Sequence, residues 1–345
     1  MKKQKKRQQA PSKEPLTIQI LKKGSPDEIR ALCAFDETTK REEIALKFRL
    51  WSRWFFPDYF LSKTRPQRPI DDAPFHRVMD GHFIDVYIGK VKYFVNIAFR
   101  GAAKTSRAKL FIAFCIANDT THRRKFFKVL AKDYANARQI TTDIYNMLVH
   151  PRVREYWSSI FSKEGDLKRE ETMGGFTTSA GVKVASGTVG MEQRGDIQDD
   201  ARPDFLLFED FETRKTLRSA VETMAIAENM EEARTGLSNN GGAIYNCNYL
   251  SERGNVHQFI EWKAKSKKTL IVPIYSRAQG VAWPAMHTLD DVKQIKTDAT
   301  DFAGEYLCLP SIGADIFFSR QRIDAQVPKE PKEERAGLRV YEPFN

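Results

Sequence analysis

Residues 94–108 read FVNIAFRGAAKTSRA, and this stretch decides the predicted fold. An apolar run ends at Arg100-Gly101, a turn of small residues follows, and Lys104-Thr105 begin a helix-like segment. A strand, a tight turn and a helix in this order let backbone N–H groups surround phosphate oxygens at the positive end of the helix dipole. The stretch therefore predicts a phosphate-binding loop, with a lysine for the outer phosphates and a threonine hydroxyl for Mg²⁺.

The glycines of this loop depart from the usual phosphate-loop pattern. G-x-x-x-x-G-K-[ST] requires glycine at positions 98 and 103, where this chain has Ala98 and Ala103. Gly101 is the glycine that remains. Taken alone, the stretch also fits an ordinary strand–turn–helix connection with a surface lysine.

Strands and helices alternate around this stretch. Helices are expected after Ser25, over 41–56, 74–89, 104–118 and 134–149, over 213–234 and near 256–262, with a less regular stretch at 152–203. Strands are expected at 91–99, 125–131, 205–208, 243–249 and 269–275. These strands are continuous apolar runs without period-2 polarity, which is typical of a parallel sheet covered on both faces by helices. The predicted fold class is α/β.

An acidic cluster follows the predicted strand in RPDFLLFEDFE, residues 202–212. The apolar run ends at Glu209 and Asp210, with Glu212 just beyond. In phosphate-hydrolysing ATPases, one carboxylate at this place holds the Mg²⁺ shell and its neighbour orients and deprotonates the attacking water. The alternative is an acidic cap for the following helix. Both this cluster and the phosphate loop lie at carboxyl ends of strands, where ligands of α/β proteins bind.

A third polar strand end lies in GGAIYNCNYLSERGNV, residues 241–256. Asn246 and Asn248 fall at the end of its strand, before a glycine-containing loop. An amide beside the γ-phosphate could sense hydrolysis and pass it to a moving segment. Either amide could equally do no more than hold the loop in place.

Charge suggests a polyanionic partner. The 345 residues include 56 Lys+Arg and 45 Asp+Glu, a net charge of +11, and the first thirteen residues carry six basic side chains and no acid. That tail is either a solvated terminus or a non-specific anchor to nucleic acid. Two further basic segments, His122–Lys125 with Lys128 and Lys263–Lys268, fit either a DNA track or a solvated edge.

Composition excludes several classes of protein. Hydrophobic residues make up 41% and charged residues 29%, which excludes collagen-like, wholly disordered and disulfide-framework chains. No run of eighteen apolar residues occurs, so no membrane span is expected. Cys33, Cys115, Cys247 and Cys308 are widely separated, which predicts buried free thiols in a reducing compartment.

Four segments together resemble the ATPase domain of the large terminase subunit of tailed bacteriophages. They are FRGAAKTS, RPDFLLFEDFE with the QRG before it, GGAIYNCNYLSERGNV, and WPAMHTLDDVKQIKTDATDFAGEYLCLP. The most distinctive features are the arginine four residues before the phosphate-loop lysine and the closing DF…EYLC.P segment. The resemblance covers about residues 40–320, and family members share the glycine-poor loop.

This resemblance implies a P-loop NTPase fold of the RecA-like, additional-strand (ASCE) class, with a mostly parallel sheet flanked by helices and a helical N-terminal extension. The implied regions are a disordered basic tail (1–15), a helical adenine-side region (16–90), the ATPase core (91–310) and a linker (311–345). The linker would lead to a nuclease domain, which we expect to be absent from these residues.

The resemblance also implies roles for individual residues. Those of the ATP-binding loop are Arg100, Gly101, Ala102, Ala103, Lys104, Thr105 and Ser106. Thr105 and Glu209 would hold Mg²⁺, Asp210 would activate water, and Asn248 would couple hydrolysis to motion. The family more often has Asp first, so the order of roles between Glu209, Asp210 and Glu212 stays open. Arg194 would reach a neighbouring subunit's phosphate, and Phe75 and His76 lie where the adenine-side segment is expected, unless they only pack the helix.

The function implied is ATP hydrolysis that drives double-stranded DNA into a viral procapsid in the host cytoplasm. The implied cofactors are ATP and Mg²⁺. The implied partners are double-stranded DNA, a portal protein on the procapsid and a small terminase subunit, with no membrane. Further copies of the chain would form a ring on the procapsid, a pentamer in this family, and a monomer is the alternative for the isolated chain. Two alternatives stay open: another nucleic-acid-stimulated, helicase-like P-loop ATPase, and a non-catalytic basic DNA-binding scaffold.

Overall fold

The computed structural model describes residues 21–62, 67–160, 168–170, 174–190, 202–310, 333–335 and 338–340. The predicted basic tail, Arg194 and most of the predicted linker lie outside these residues. Within the linker region, strands β11 (Glu333–Arg335) and β12 (Leu338–Val340) pair antiparallel.

An eight-stranded sheet forms the centre of the fold. Its strands, in the order in which they lie side by side, are β3 (Lys168–Glu170), β4 (Gly175–Thr177), β5 (Lys183–Thr188), β2 (Phe126–Ala131), β6 (Phe205–Glu209), β7 (Gly242–Cys247), β1 (Tyr93–Ala98) and β8 (Lys267–Val272). In this spatial order, the last six strands, β5, β2, β6, β7, β1 and β8, are parallel to one another. Strands β3 and β4 add an antiparallel edge. Strand β7 lies between the phosphate-loop strand β1 and the acidic strand β6, which is the additional-strand arrangement that the resemblance implies.

Eleven helices accompany the sheet in the described residues. They are α1 (Pro26–Cys33), α2 (Arg41–Phe55), α3 (Pro74–Tyr87), α4 (Lys104–Asn118), α5 (Tyr134–Leu148), α6 (Pro151–Tyr156), α7 (Arg214–Leu217), α8 (Ala220–Thr235), α9 (Asn255–Glu261), α10 (Leu289–Asp298) and α11 (Phe302–Tyr306). The short strands β9 (Tyr275–Ser276) and β10 (Gly280–Val281) form a separate hairpin.

The helices before the sheet share its hydrophobic core. Phe48 of α2 and Phe83 of α3 pack against Phe111 of α4, with ring centroids 5.4 and 5.7 Å apart. All three side chains are fully buried. The aromatic residues of α2 and α3 are therefore core residues, because an amphipathic helix buries its apolar face.

Two expectations about secondary structure are wrong. The stretch 152–203 contains β5, which pairs in parallel with β2, but its sequence KVASGT buries only Val184 and Ala185 and gives no apolar run. The helix expected over 213–234 is divided into α7 and α8, because the hydroxyl of Ser219 accepts a hydrogen bond from Glu222 N and starts a new helix.

The prediction that the four cysteines are buried free thiols is confirmed. All four are free and buried, and burial raises the pKa of each thiol. In the described residues, no helix has the length and apolar character that crossing a bilayer requires.

Candidate active site

A cleft of about 660 Å³ opens at the carboxyl ends of β1, β6 and β7. Its walls combine the three strand ends that the sequence singled out: the turn 100–106, the segment 210–214 after β6, and Asn248 after β7. The parallel order of these strands brings the three segments to one edge of the sheet.

Two residues of the phosphate loop have positive φ angles. Gly101 has φ 92°, and Ala103 has φ 60° and ψ 20° directly before α4. A left-handed alanine costs about 1 kcal/mol relative to a right-handed one, so the loop keeps its turn with a methyl group where the common pattern has glycine. No side chain of the described residues caps α4, which leaves its first N–H groups facing the cleft for an anion.

Lys104 is held over the end of β1. Its Nζ donates to Ala98 O at 2.6 Å and to Asn248 Oδ1 at 2.8 Å, and the side chain is buried. The alternative of a surface lysine is therefore wrong. The contact also places Asn248 beside the phosphate loop, across 144 residues of sequence.

Thr105 and Glu209 are joined by a hydrogen bond. Thr105 Oγ1 donates to Glu209 Oε2 at 2.9 Å, and Asn246 Nδ2 donates to Glu209 Oε1 at 2.6 Å. Asn96 Nδ2 in turn donates to Asn246 Oδ1 at 2.8 Å. The asparagine chain crosses β1, β7 and β6 and fixes Glu209 Oε1, whereas Thr105 at the start of α4 fixes Glu209 Oε2.

The electrostatics of Glu209 depend on what lies next to it. Burial and the neighbouring Asp210 raise the pKa of the Glu209 carboxyl well above its ordinary value, whereas Asn246, Thr105 and Lys104 favour the ionised form. A cation beside the carboxylate would favour ionisation further.

The oxygens of Thr105 and Glu209 fit Mg²⁺. A magnesium ion takes one or two protein oxygens and completes its shell with water and substrate phosphates. No cluster of three or more His, Cys, Asp or Glu side chains that could hold a metal exists in the described residues. The residues present therefore suit a nucleotide-bound Mg²⁺ better than an all-protein metal cage.

Asp210 faces the cleft, whereas Glu209 faces the core. Asp210 is exposed, with φ 41°, and its N–H donates to Asn246 O at 3.2 Å. A left-handed aspartate costs about 1–2 kcal/mol, and such residues concentrate at functional sites. The cap of α7 is Thr213, whose hydroxyl accepts from Thr216 N, so neither Glu209 nor Asp210 serves as that helix cap.

Glu212, unlike Glu209, forms its hydrogen bond with the start of α9. Its Oε2 accepts a hydrogen bond from Asn255 N at 2.7 Å at the start of α9, and its Oε1 has no hydrogen-bond partner among the described residues. Burial raises the pKa of Glu212 to about 7. The residue therefore links the end of β6 to the helix that follows the Asn248 loop.

Arg100 lies at the rim of the cleft, 67% exposed. Its Nη1 donates to Glu305 Oε2 at 2.9 Å, and Arg214 Nη2 donates to Glu305 Oε1 at 3.0 Å. Glu305 belongs to the closing segment that marks the resemblance, yet no local sequence pattern indicates that it pairs with Arg100.

The two residues that the resemblance places on the adenine side lie behind the cleft wall. Phe75 and His76 are buried and do not line the cleft, whose wall on that side has Tyr59, Leu61 and Trp283. The interpretation of Phe75 and His76 as helix packing is therefore the one that the structure favours.

His76 nevertheless supports the phosphate loop. Its Nδ1 accepts from Ala73 N at 3.0 Å, so the neutral ring carries its proton on Nε2, which lies 3.3 Å from Ala102 O and donates to it. Burial lowers the pKa of His76 to about 3, which keeps this arrangement neutral. No sequence signal distinguishes this histidine from any other on a buried helix face.

The solved structures to which this chain is similar include large terminases. The large terminase of a thermophilic bacteriophage, in complex with ADP, matches at 12% identity and a TM-score of 0.41, over 64% of this chain and 48% of that one. The ATPase domain of the Thermus phage P74-26 large terminase matches at 12% and 0.41, over 63% of this chain and 87% of that one. This chain thus matches about half the length of the ADP-bound terminase.

No family model and no curated protein sequence matches the chain. The strand order 5-2-6-7-1-8 and a phosphate loop between β1 and α4 make this an α/β P-loop NTPase fold.

Proposed function

We propose that the chain is the ATPase motor of a viral terminase, which hydrolyses ATP with Mg²⁺ to translocate double-stranded DNA into a procapsid. The observation that carries the proposal is the hydrogen bond from Thr105 to Glu209, which joins the phosphate loop to the acidic strand end. An ordinary strand–turn–helix connection has no need of this pairing.

The residues of the cleft have distinct roles in this reaction. The N–H groups of the first turn of α4 and the Lys104 ammonium bind the phosphates and stabilise the negative charge of the transition state. Asp210 orients the attacking water in line with the γ-phosphate and accepts its proton. Thr105 and Glu209 would hold Mg²⁺, which neutralises phosphate charge when bound.

Asn248 couples hydrolysis to movement of the loop that follows β7. In the present structure its Oδ1 accepts a hydrogen bond from Lys104. When Lys104 binds a γ-phosphate, it exchanges this partner for the phosphate, and the loop between β7 and α9 is released. Glu212, which follows the acidic strand β6, accepts a hydrogen bond from the first residue of α9. It therefore connects the acidic strand to the helix that follows the released loop.

The packaging assignment rests on the four sequence segments that resemble terminases. They support proposed partners of this motor: double-stranded DNA, a portal protein, a small terminase subunit and further copies of the chain in a ring. In such a ring, Arg194 would reach the phosphates of a neighbouring subunit.

Steady-state ATP hydrolysis tests the active site. We expect Lys104→Ala to lower kcat/KM for ATP by roughly 100-fold or more, because the variant loses a charge-assisted contact to the phosphates. Lys296→Ala, which changes an exposed lysine of α10, is the matched control and should leave the rate unchanged. Hydrolysis by Lys104→Ala at the wild-type rate would exclude the assignment.

Packaging is tested separately, by ATP-dependent protection of double-stranded DNA from added nuclease in the presence of procapsids. We expect protection with the wild-type chain and none with Lys104→Ala. Strand displacement without a procapsid would favour a helicase-like ATPase. DNA binding without ATP binding would favour the non-catalytic scaffold.

A further inference from the structure

A second cleft, of about 610 Å³, lies at the opposite edge of the same sheet. Most of its walls come from residues that precede strands: Val91 and Lys92 before β1, Arg123 and Arg124 before β2, Asn239 to Gly241 before β7, and Ser266 before β8. We call the surface around it the amino-edge surface, because parallel strands begin there.

Two basic segments that are distant in sequence meet at the amino-edge surface. The N–H of Lys92 donates to Ser266 O at 3.0 Å and to Ser266 Oγ at 2.9 Å, and Phe94 lies in register with Lys268. The segment 263–268 therefore lies directly beside residues 90–92. Lys125 directly precedes β2 at the same edge of the sheet. Its carbonyl oxygen accepts a hydrogen bond from Lys183 N at 2.7 Å.

Some of the basic residues in these segments are structural. Arg124 is buried and donates to the carbonyls of Val86, Tyr87 and Asn240. Lys267 donates to carbonyls near the end of α9, at 2.7 and 2.8 Å. Lys128 is buried within β2, and burial lowers its pKa to about 8. The expectation that Arg124 and Lys128 belong to a DNA track is therefore wrong for these two side chains.

The remaining charges are exposed. The lysines with exposed side chains at this edge are Lys90, Lys125, Lys263, Lys265 and Lys268, and Lys92 lines the cleft half-buried. Glu37 is the one acid among the described residues that line the cleft. Asp204 before β6, which accepts from Lys125 N, and Glu261 near Lys267 are further acids at this edge. Six lysines against these three acids leave the amino-edge surface positively charged. The amides of Asn239 and Asn240 and the hydroxyl of Ser266 are neutral donors.

We propose that the amino-edge surface binds the sugar–phosphate backbone of double-stranded DNA, which rests on the proposed function only for the choice of partner. Ammonium, amide and hydroxyl donors are the groups that contact phosphate and sugar without reading bases. Six parallel strands about 4.8 Å apart make an edge roughly 24 Å long. Duplex DNA presents about one charge per 1.7 Å of axis, so an edge of this length faces several phosphates of one strand.

The aromatic residues nearby argue against single-stranded nucleic acid. Binding of single strands uses exposed rings on which bases stack. At this edge Tyr93 and Trp262 pack on each other, with ring centroids 4.7 Å apart, and the Arg234 guanidinium lies 4.2 Å from the centre of the Trp262 ring. The rings are thus already in contact with other side chains, and backbone contacts remain as the mode of binding.

The position of this surface separates it from the nucleotide cleft. Strands β1 and β7 begin at the amino-edge surface and end near Arg100 and Asn248, where the nucleotide would bind. A substitution at one edge therefore leaves the side chains of the other edge in place. Backbone binding and hydrolysis can be measured independently.

Fluorescence anisotropy with a duplex of about 30 base pairs, over a series of salt concentrations, tests the proposal. The test variant of the full chain is Lys90→Gln/Lys125→Gln/Lys265→Gln/Lys268→Gln. The matched control is Arg138→Gln/Arg152→Gln/Arg277→Gln/Lys296→Gln, which removes the same charge from exposed positions elsewhere. Both keep the basic N-terminal tail, so the difference between them reports the amino edge.

We expect the test variant to bind the duplex roughly tenfold more weakly than the control at low salt. The slope of log affinity against log salt should become shallower by about 2–4, because each lost phosphate contact contributes about 0.9 to that slope. ATP hydrolysis without DNA should be unchanged in both variants. Equal duplex binding by the two variants would overturn the proposal, as would a larger loss for single-stranded DNA or for an acidic peptide.

The outcome is independent of the proposed active site. If the wild-type chain hydrolyses no ATP but the test variant alone loses duplex affinity, the surface is confirmed and the motor function fails. If hydrolysis depends on Lys104 but the two variants bind DNA equally, the surface fails and the motor function stands.

Discussion

The two edges of the central sheet are built in opposite ways. At the carboxyl edge, Lys104 and Glu209 are buried and each makes two hydrogen bonds to fixed partners. At the amino edge, lysines such as Lys90 and Lys268 are exposed, and the buried Arg124 donates hydrogen bonds to backbone carbonyls. One sheet thus carries a rigid polar site at one end and a solvated layer of charge at the other.

This difference matches two kinds of chemistry. Stabilising the charge of a transition state requires groups that are fixed in place before the reaction, in surroundings from which water is largely excluded. Holding a polyanion without reading its sequence requires many solvated charges, each of which contributes little. Substitutions at the carboxyl edge should therefore have large effects that depend on geometry, and those at the amino edge small effects that add.

The largest loss of stability is expected beneath the phosphate loop. Arg107 of α4 is buried, and it donates to Asp80 at 2.8 Å and to Asp72 at 2.8 Å. Arg107→Met leaves two carboxylates without this cation and should lower the free energy of unfolding by about 3–5 kcal/mol. Urea denaturation measures the change.

Lys293→Met is the control for this prediction. It breaks an exposed ion pair with Asp290 and should cost less than about 1 kcal/mol. Equal losses in the two variants would show that the carboxyl edge does not depend on buried pairing.

A pH-dependent effect is expected at Glu212. Its pKa is about 7 in the folded protein, against an ordinary value of 4.5. Between these pH values the folded state holds a proton that the unfolded state releases, so stability falls as the pH rises through this window, by up to about 3 kcal/mol. Glu212→Gln should remove this part of the pH dependence.

Denaturation at pH 5 and pH 8 measures the effect, with Glu252→Gln as an exposed control. The wild-type protein and the control should lose more stability between the two pH values than Glu212→Gln does. The same loss in all three would show that Glu212 does not keep its proton in the folded protein.

A smaller effect on stability separates the phosphate loop from an ordinary turn. Gly101 and Gly181 both have positive φ, 92° and 76°, and a Cβ on either would meet no atom within 4 Å. Alanine at either position should therefore cost about 1–2 kcal/mol through backbone strain alone.

Only Gly101→Ala should also lower kcat/KM for ATP, because it changes the direction of N–H groups that face the phosphates. Thermal unfolding and ATP hydrolysis of the two variants give the comparison. Unchanged hydrolysis in Gly101→Ala would show that this turn does not form the phosphate site.

The sequence predicts the carboxyl edge better than the amino edge. Lys104, Asp210 and Asn248 each follow an apolar run, and the rule that parallel strands end together brings them to one cleft. This rule applies whatever the order in which the strands lie in the sheet. The partners of Arg107, His76 and Arg100 escaped prediction because they lie 27, 26 and 205 residues away, at separations that no local pattern encodes.

The amino edge shows the converse case. Charge runs such as 122–125 are visible in the sequence, but burial separates Arg124, which supports the fold, from Lys125, which is exposed. Strand β5 gives no sequence signal for a related reason, since it buries too few residues to form an apolar run. Periodicity reports burial on a regular face, and neither segment buries its residues in a periodic pattern.

The central claim is that Asp210, and not its buried neighbour, activates water for ATP hydrolysis. Single-turnover hydrolysis of bound ATP by Asp210→Asn tests it most directly, with Asp298→Asn at the exposed end of α10 as the control. We predict that Asp210→Asn binds ATP as the wild type does and hydrolyses it about 10²–10⁴-fold more slowly, whereas the control keeps the wild-type rate. Hydrolysis by Asp210→Asn at the wild-type rate would contradict the account.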